Sequence, residues 1–225
     1  MITLVGSQVE VIQEDVLLMM GYAGLSIDEA VRSLDDRDED LARSVIDRDR
    51  QINDLQRKIE AECLDMLAKK PEGKDLRVVA ASYKFVSDIE RIGDYCTAIA
   101  NVTRSVVNKP VTATALDIIK MGRTAIRMLN ICMDAYRGNP QTNIEEVFDL
   151  DKLIDRLYND AFVGSILTVL EKPNTATNVI YETVASRALE RIGDHLTDIA
   201  ERIIFIQTGK IVERSEPMHV PEFPE

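Results

Sequence analysis

Residues 90–100 read ERIGDYCTAIA and residues 190–200 read ERIGDHLTDIA. Eight of these eleven positions are identical at an offset of 100. Unrelated segments match at roughly one position in twenty, so the chain carries an internal repeat, and both copies must fold alike. The apolar spacing around each copy is helical. Phe85, Ile89, Ile92, Cys96 and Ile99 step by four and three. Leu189, Ile192, Leu196, Ile199, Ile203 and Ile206 do the same. Such seams belong to long bundle helices.

Breaks at Pro71–Gly73, Lys109-Pro110, Gly138-Asn139-Pro140 and Lys172-Pro173-Asn174 divide the pattern. A charged run, Asp35–Asp40, adds a weaker one. The divisions predict six helices at about 6–35, 38–70, 75–108, 112–137, 141–171 and 175–209. Most would hold about 25–35 residues. The expected fold is all-α, with six long helices forming two tandem pseudo-symmetric three-helix bundles. Residues 1–109 hold the first repeat, 110–210 the second, and 211–225 an extended tail with three prolines and four glutamates.

Charge restricts the partners. Acids outnumber bases 39 to 27, a net charge of −12. That argues against binding nucleic acid and against unaided docking on an anionic membrane. No run approaches the roughly 18 apolar residues of a membrane span, and no targeting segment is visible, so a soluble cytoplasmic protein is expected. The three cysteines, Cys63, Cys96 and Cys132, are read as reduced core thiols. With only His195 and His219, a zinc site of the His/Cys kind and a di-iron site of the Glu-x-x-His kind are nearly excluded.

The acids form rows. At 100° per residue, Glu190, Asp194, Asp198 and Glu201 share an arc of about 80° beside the apolar seam. In the first copy Glu90 and Asp94 hold the same places, joined by Thr97 and Asn101. The preceding helices carry parallel phrases: DRQIN with Asp49 and Asn53, and DKLID with Asp151 and Asp155. Like charges four residues apart destabilise a helix unless something neutralises them. If the second and third helices pack together, and the fifth and sixth likewise, each pair of rows converges into an all-oxygen nest. Such a nest suits Mg2+, Mn2+, Ca2+, iron or Zn2+. The plainer reading is a solvated acidic face. Gly93 and Gly193 interrupt the helices at matching positions, where a close neighbouring helix would explain them. Arg91 and Arg191 follow each Glu and are read as pairing nearby acids or lying on the surface. His195 points about 100° away from Asp194 and is not expected among the ligands.

These marks resemble the PhoU family, accessory regulators of phosphate-specific transport. The likeness rests on the two ERIGD segments with IA behind them and on the Asp75-Leu76-Arg77 entry to the third helix. The DxxI[DN] phrases and ARSVIDRDRQIND support it. The resemblance implies two pseudo-symmetric three-helix bundles with metal clusters held by acidic motifs. The first site would use Asp49, Glu90 and Asp94. The second would use Asp151, Asp155, Glu190 and Asp194, with Asp198 and Glu201 beside them. It also implies a non-enzymatic homodimer that links a phosphate ABC transporter to a sensor histidine kinase and down-regulates uptake. Asn53, Ala98 and Asn101 stand where the second repeat has Asp155, Asp198 and Glu201, so the first site is the poorer in charge. Two other classes fit the acid rows: a carboxylate-bridged metal-dependent hydrolase, and a metal-free helical scaffold. No Ser/His/Asp or Cys/His set and no Gly-rich phosphate loop favours the enzyme.

Overall fold

The computed structural model describes residues 4–109 and 115–212. The expected break at Pro110 and the tail from 213 lie outside the described residues. Six helices follow in order: α1 (Leu4–Asp36), α2 (Glu39–Ala68), α3 (Gly73–Val106), α4 (Ala115–Tyr136), α5 (Glu146–Glu171) and α6 (Ala176–Thr208). A 3-10 turn, Pro173–Thr175, precedes α6. Among the described residues no helix is long and apolar enough to cross a membrane.

Local chemistry explains the ends. The charged run after α1 does split two helices. Arg37 takes a left-handed φ of 57°, and the Asp38 side chain accepts the Leu41 amide at 2.9 Å, a standard N-cap. The fifth helix starts later than the spacing predicts. Asn139 and Asn143 accept the backbone amides of Gln141 and Glu145 at 3.1 and 3.3 Å. These side chains offer the backbone a turn in place of a helix, so 139–145 stays irregular.

The two predicted seams are core: Phe85, Ile89, Ile92, Cys96 and Ile99 are fully buried, and Leu189, Ile192, Leu196, Ile199, Ile203 and Ile206 nearly so. Helices α1, α2 and α3 pack on one another, as do α4, α5 and α6. The bundles join because α3 runs along α6 and α1 along α4. Four helices therefore form a shared centre, with α2 and α5 outside it. Polar ties reinforce the seam and, in turn, the second bundle. Arg77 Nε donates to the Ile206 carbonyl at the end of α6 at 3.0 Å, and Gln207 donates to the Ala135 carbonyl at the end of α4 at 3.1 Å. The three cysteines are buried and free, and burial pushes the Cys63 and Cys132 thiols up to about 12. They are packing residues, not nucleophiles.

Two glycines stand at the α1–α4 crossing, Gly24 and Gly122, and Gly122 is the tighter. A Cβ at Gly122 would lie 2.5 Å from Val31 Cγ2 and 3.2 Å from Val31 Cβ. Val31 is β-branched and stiff, so it cannot swing aside. Gly122→Ala should therefore destabilise by about 1–3 kcal/mol, although Ala is the better helix former by about 1 kcal/mol. Gly21→Ala on α1, where a Cβ meets nothing within 4 Å, should gain stability instead. Urea midpoints of the two variants check the contrast.

Candidate metal centre

The internal repeat builds the same junction twice. In the first bundle α2 presents Asp49 and Ile52 to Gly93 of α3. A Cβ on Gly93 would meet Asp49 Oδ1 and Ile52 Cδ1, both at 3.2 Å. In the second, α5 presents Asp151 and Ile154 to Gly193 of α6, with corresponding distances of 2.9 and 3.4 Å. The glycines thus let an aspartate of the outer helix lie against the backbone of the ERIGD helix. That is the close approach their spacing called for.

Around each junction the carboxylates gather. Asp49, Glu90 and Asp94 act on one another electrostatically. Burial and the charge of Asp94 raise both Asp49 and Glu90 above the usual carboxylate range. Asn53 donates to Asp49 Oδ2 at 3.0 Å, while Asp49 Oδ1 is buried without a hydrogen-bond partner. In the second bundle, burial and the charges of Asp194 and Asp155 raise Glu190, although Arg187 and Arg191 oppose the shift. Those arginines reach Glu190 Oε1 at 3.0 Å and Oε2 at 3.6 Å, and Arg191 also reaches Asp194 at 3.2 Å. Glu190 Oε2 is buried and makes no hydrogen bond. Under-compensated carboxylates and a buried oxygen with no donor are what a cation would satisfy, so the donor set fits a hard or borderline divalent ion.

The two nests are not equal. Asp151 is 1% exposed and Glu190 8%, whereas Asp49 and Glu90 are half-buried and Asp94 is exposed. Asp155 adds a charge where the first nest has neutral Asn53. The second nest is the deeper and the more acidic.

The end of the row also faces α3. Asp198 is raised by burial and then by Asp88 of α3, with His195 and Arg202 opposing. Glu201 lines a cleft with Ala80 and Lys84 of α3. Because α6 lies between α5 and α3, a row at the margin of its seam is divided between two neighbours. Helical angles on one helix do not show which neighbour receives which acid. The same blindness set His195 and Asp88 aside. His195 Nδ1 lies 3.1 Å from Asp88 Oδ1, and its ring packs 5.8 Å from Tyr95. Among the described residues, Asp88, His195 and Asp198 are the set whose donor atoms come within 4.8 Å of one another.

Two tandem three-helix bundles with an acidic nest at each outer helix define a class of all-α repeat proteins. The PhoU domain family model matches residues 16–103 and again 118–203, and the chain belongs to the PhoU family. It is 31% identical over 205 residues to the phosphate-specific transport system accessory protein PhoU homolog of Pseudomonas aeruginosa, covering 90% of this chain and 85% of that one. It is 27% identical over 206 residues to the phosphate-specific transport system accessory protein PhoU of Escherichia coli, covering 91% and 85%. The crystal structure of PhoU from Pseudomonas aeruginosa is similar with a TM-score of 0.86 at 30% identity, over 91% of this chain and 99% of that one. PhoU from Streptococcus pneumoniae, at 23% identity and a TM-score of 0.79 over 93% and 100%, shares the fold. The names of these relatives describe accessory and regulatory proteins, not enzymes.

Proposed function

We propose that this chain is a cytoplasmic, metal-binding adaptor that down-regulates phosphate uptake and phosphate-starvation signalling, working as a homodimer between a phosphate ABC transporter and a sensor histidine kinase. The reading rests on the relatives named for phosphate-specific transport, and one observation of this chain carries the metal part: the doubled nest of under-compensated carboxylates. Asp151, Asp155, Glu190 and Asp194 would hold metal in the second bundle, and Asp49, Glu90 and Asp94 in the first. Bound metal supplies positive charge to carboxylates that otherwise repel one another, and through open positions it can attract a phosphate oxygen. The chain's own part is to hold α5 against α6 through Gly193, and α2 against α3 through Gly93.

An adaptor also needs a contact surface. Val163, Leu167 and Leu170 of α5 and Ile180 of α6 are between 50 and 73% exposed. By the internal repeat their counterparts are Ala61, Asp65, Ala68 and Ala80. Exposed apolar side chains of this kind suit an interaction face; α1 carries others at Val11, Leu18 and Leu25.

Two measurements test the reading. Elemental mass spectrometry of protein purified without chelator should find metal in the wild type. It should find less in Glu90→Ala/Asp94→Ala and still less in Glu190→Ala/Asp194→Ala. Metal at wild-type levels in both variants would remove the nests as sites. Cells lacking the gene should take up more phosphate, and the wild-type gene should restore the lower rate. Unchanged uptake on deletion would overturn the regulatory role.

A further inference from the structure

We infer that Asp88 of α3 and His195 and Asp198 of α6 form a third, chemically distinct site across the seam between the two repeats, taking a late first-row divalent metal of the Zn2+ or Co2+ kind. The acid nests are all-oxygen and lie within one bundle. This set adds an imidazole nitrogen, which shifts preference from Mg2+ and Ca2+ towards Zn2+, Co2+ and Ni2+. Zinc bonds to nitrogen and oxygen are about 2.0–2.2 Å, so neighbouring ligands of a tetrahedral ion lie about 3.4 Å apart. Asp88 Oδ1 and His195 Nδ1, at 3.1 Å, already stand close to that separation. All three donor atoms lie within 4.8 Å of one another. His195 and Arg202 face Asp198, against the carboxylates of Asp88 and Asp194. Two carboxylates against one arginine leave a net negative charge for a divalent ion.

The internal repeat supplies a control within the chain. His195 and its counterpart Tyr95 face each other across the seam, as an axis relating the two repeats requires. That axis produces the same corner a second time, and there the three positions are Ala188, Tyr95 and Ala98. Packing α3 on α6 therefore does not demand a histidine and two aspartates. A single His–Asp hydrogen bond would account for Asp88 and His195 but gives no reason for Asp198 beside them.

The test uses the full chain stripped with chelator, then titrated with Zn2+ and with Co2+, whose visible spectrum reports ligation. One equivalent should bind with imidazole among its ligands by X-ray absorption. His195→Gln and Asp198→Asn should each weaken that equivalent by at least about tenfold, while Glu190→Gln/Asp194→Asn and His219→Gln leave it intact. Melting in chelator shows whether each variant keeps its fold, and Asp198→Asn, at an exposed position, keeps the test open if His195→Gln does not. Full binding in His195→Gln and Asp198→Asn would overturn the site. So would loss of that equivalent in Glu190→Gln/Asp194→Asn alone, which would assign the ion to the acid nest. Failure of the nests to bind metal would leave this site standing, and the converse holds too.

Discussion

Phe85→Ala should lower the stability of this protein by about 3–5 kcal/mol. Phe85 is fully buried on α3, and its ring meets Tyr136 of α4 edge-on at 5.5 Å. Tyr136 is itself nearly buried and shares a 2.7 Å hydrogen bond with Ser82 Oγ on α3. Removing the phenyl ring opens a cavity in the α3 core seam and takes away an aromatic pair with the end of α4. For a chain of this size the melting temperature should fall by about 6–20 °C. Tyr83→Ala, two residues earlier but 41% exposed, should change stability by about 0.5 kcal/mol or less. Guanidinium denaturation followed by circular dichroism separates the two. Equal losses would mean that the buried Phe85 ring adds nothing beyond an exposed aromatic side chain.

The second large effect is a reversal of sign. Glu190→Gln/Asp194→Asn should make the metal-free protein more stable at pH 7 and the metal-loaded protein less stable than wild type. The folded protein holds the Glu190 proton more tightly than the unfolded chain does, because burial and the charge of Asp194 outweigh Arg187 and Arg191. A carboxyl raised in this way contributes stability that is fully present below its unfolded value, near pH 4.3. That contribution is lost as the pH rises through the folded value. An amide keeps the shape without the charge, so the metal-free variant should gain on wild type between pH 4 and pH 7. With Mn2+ at a hundred times its dissociation constant, wild type should gain about 2.7 kcal/mol, or about 5–11 °C in melting temperature, and the variant little. Parallel melting curves for the two proteins at every pH and metal concentration would sink the expectation.

Much of this was legible in the residues, for identifiable reasons. The Ile and Leu seams are repeated every three or four positions, and burial follows periodicity closely when helices are long. Gly93 and Gly193 cost helix stability, so their matched placement had to mean a close neighbour, and Asp49 and Asp151 are those neighbours. The break at Arg37 was harder, since a left-handed arginine looks like any charged residue in a charged run. The late start of α5 depends on two asparagine side chains competing with the helix. Asp198 and His195 needed the partner helix itself. A wheel drawn on α6 measures angles from Glu190, and says nothing of Asp88 arriving from α3.

The outer position of α2 and α5 has a consequence for the order in which this molecule comes apart. Each touches only its own bundle, so either can lift away while α1, α3, α4 and α6 stay closed. Opening of that kind is sub-global and needs less free energy than unfolding the centre. Each outer helix also brings in the aspartate that completes its nest. A cation shared between outer and inner helix is then a latch on a local door. Amide exchange in α2 and α5 would slow when it closes, while exchange in the centre stays as it was. If the nests take the cation proposed above, the molecule would report it by how long two helices remain shut, without any change in its average shape.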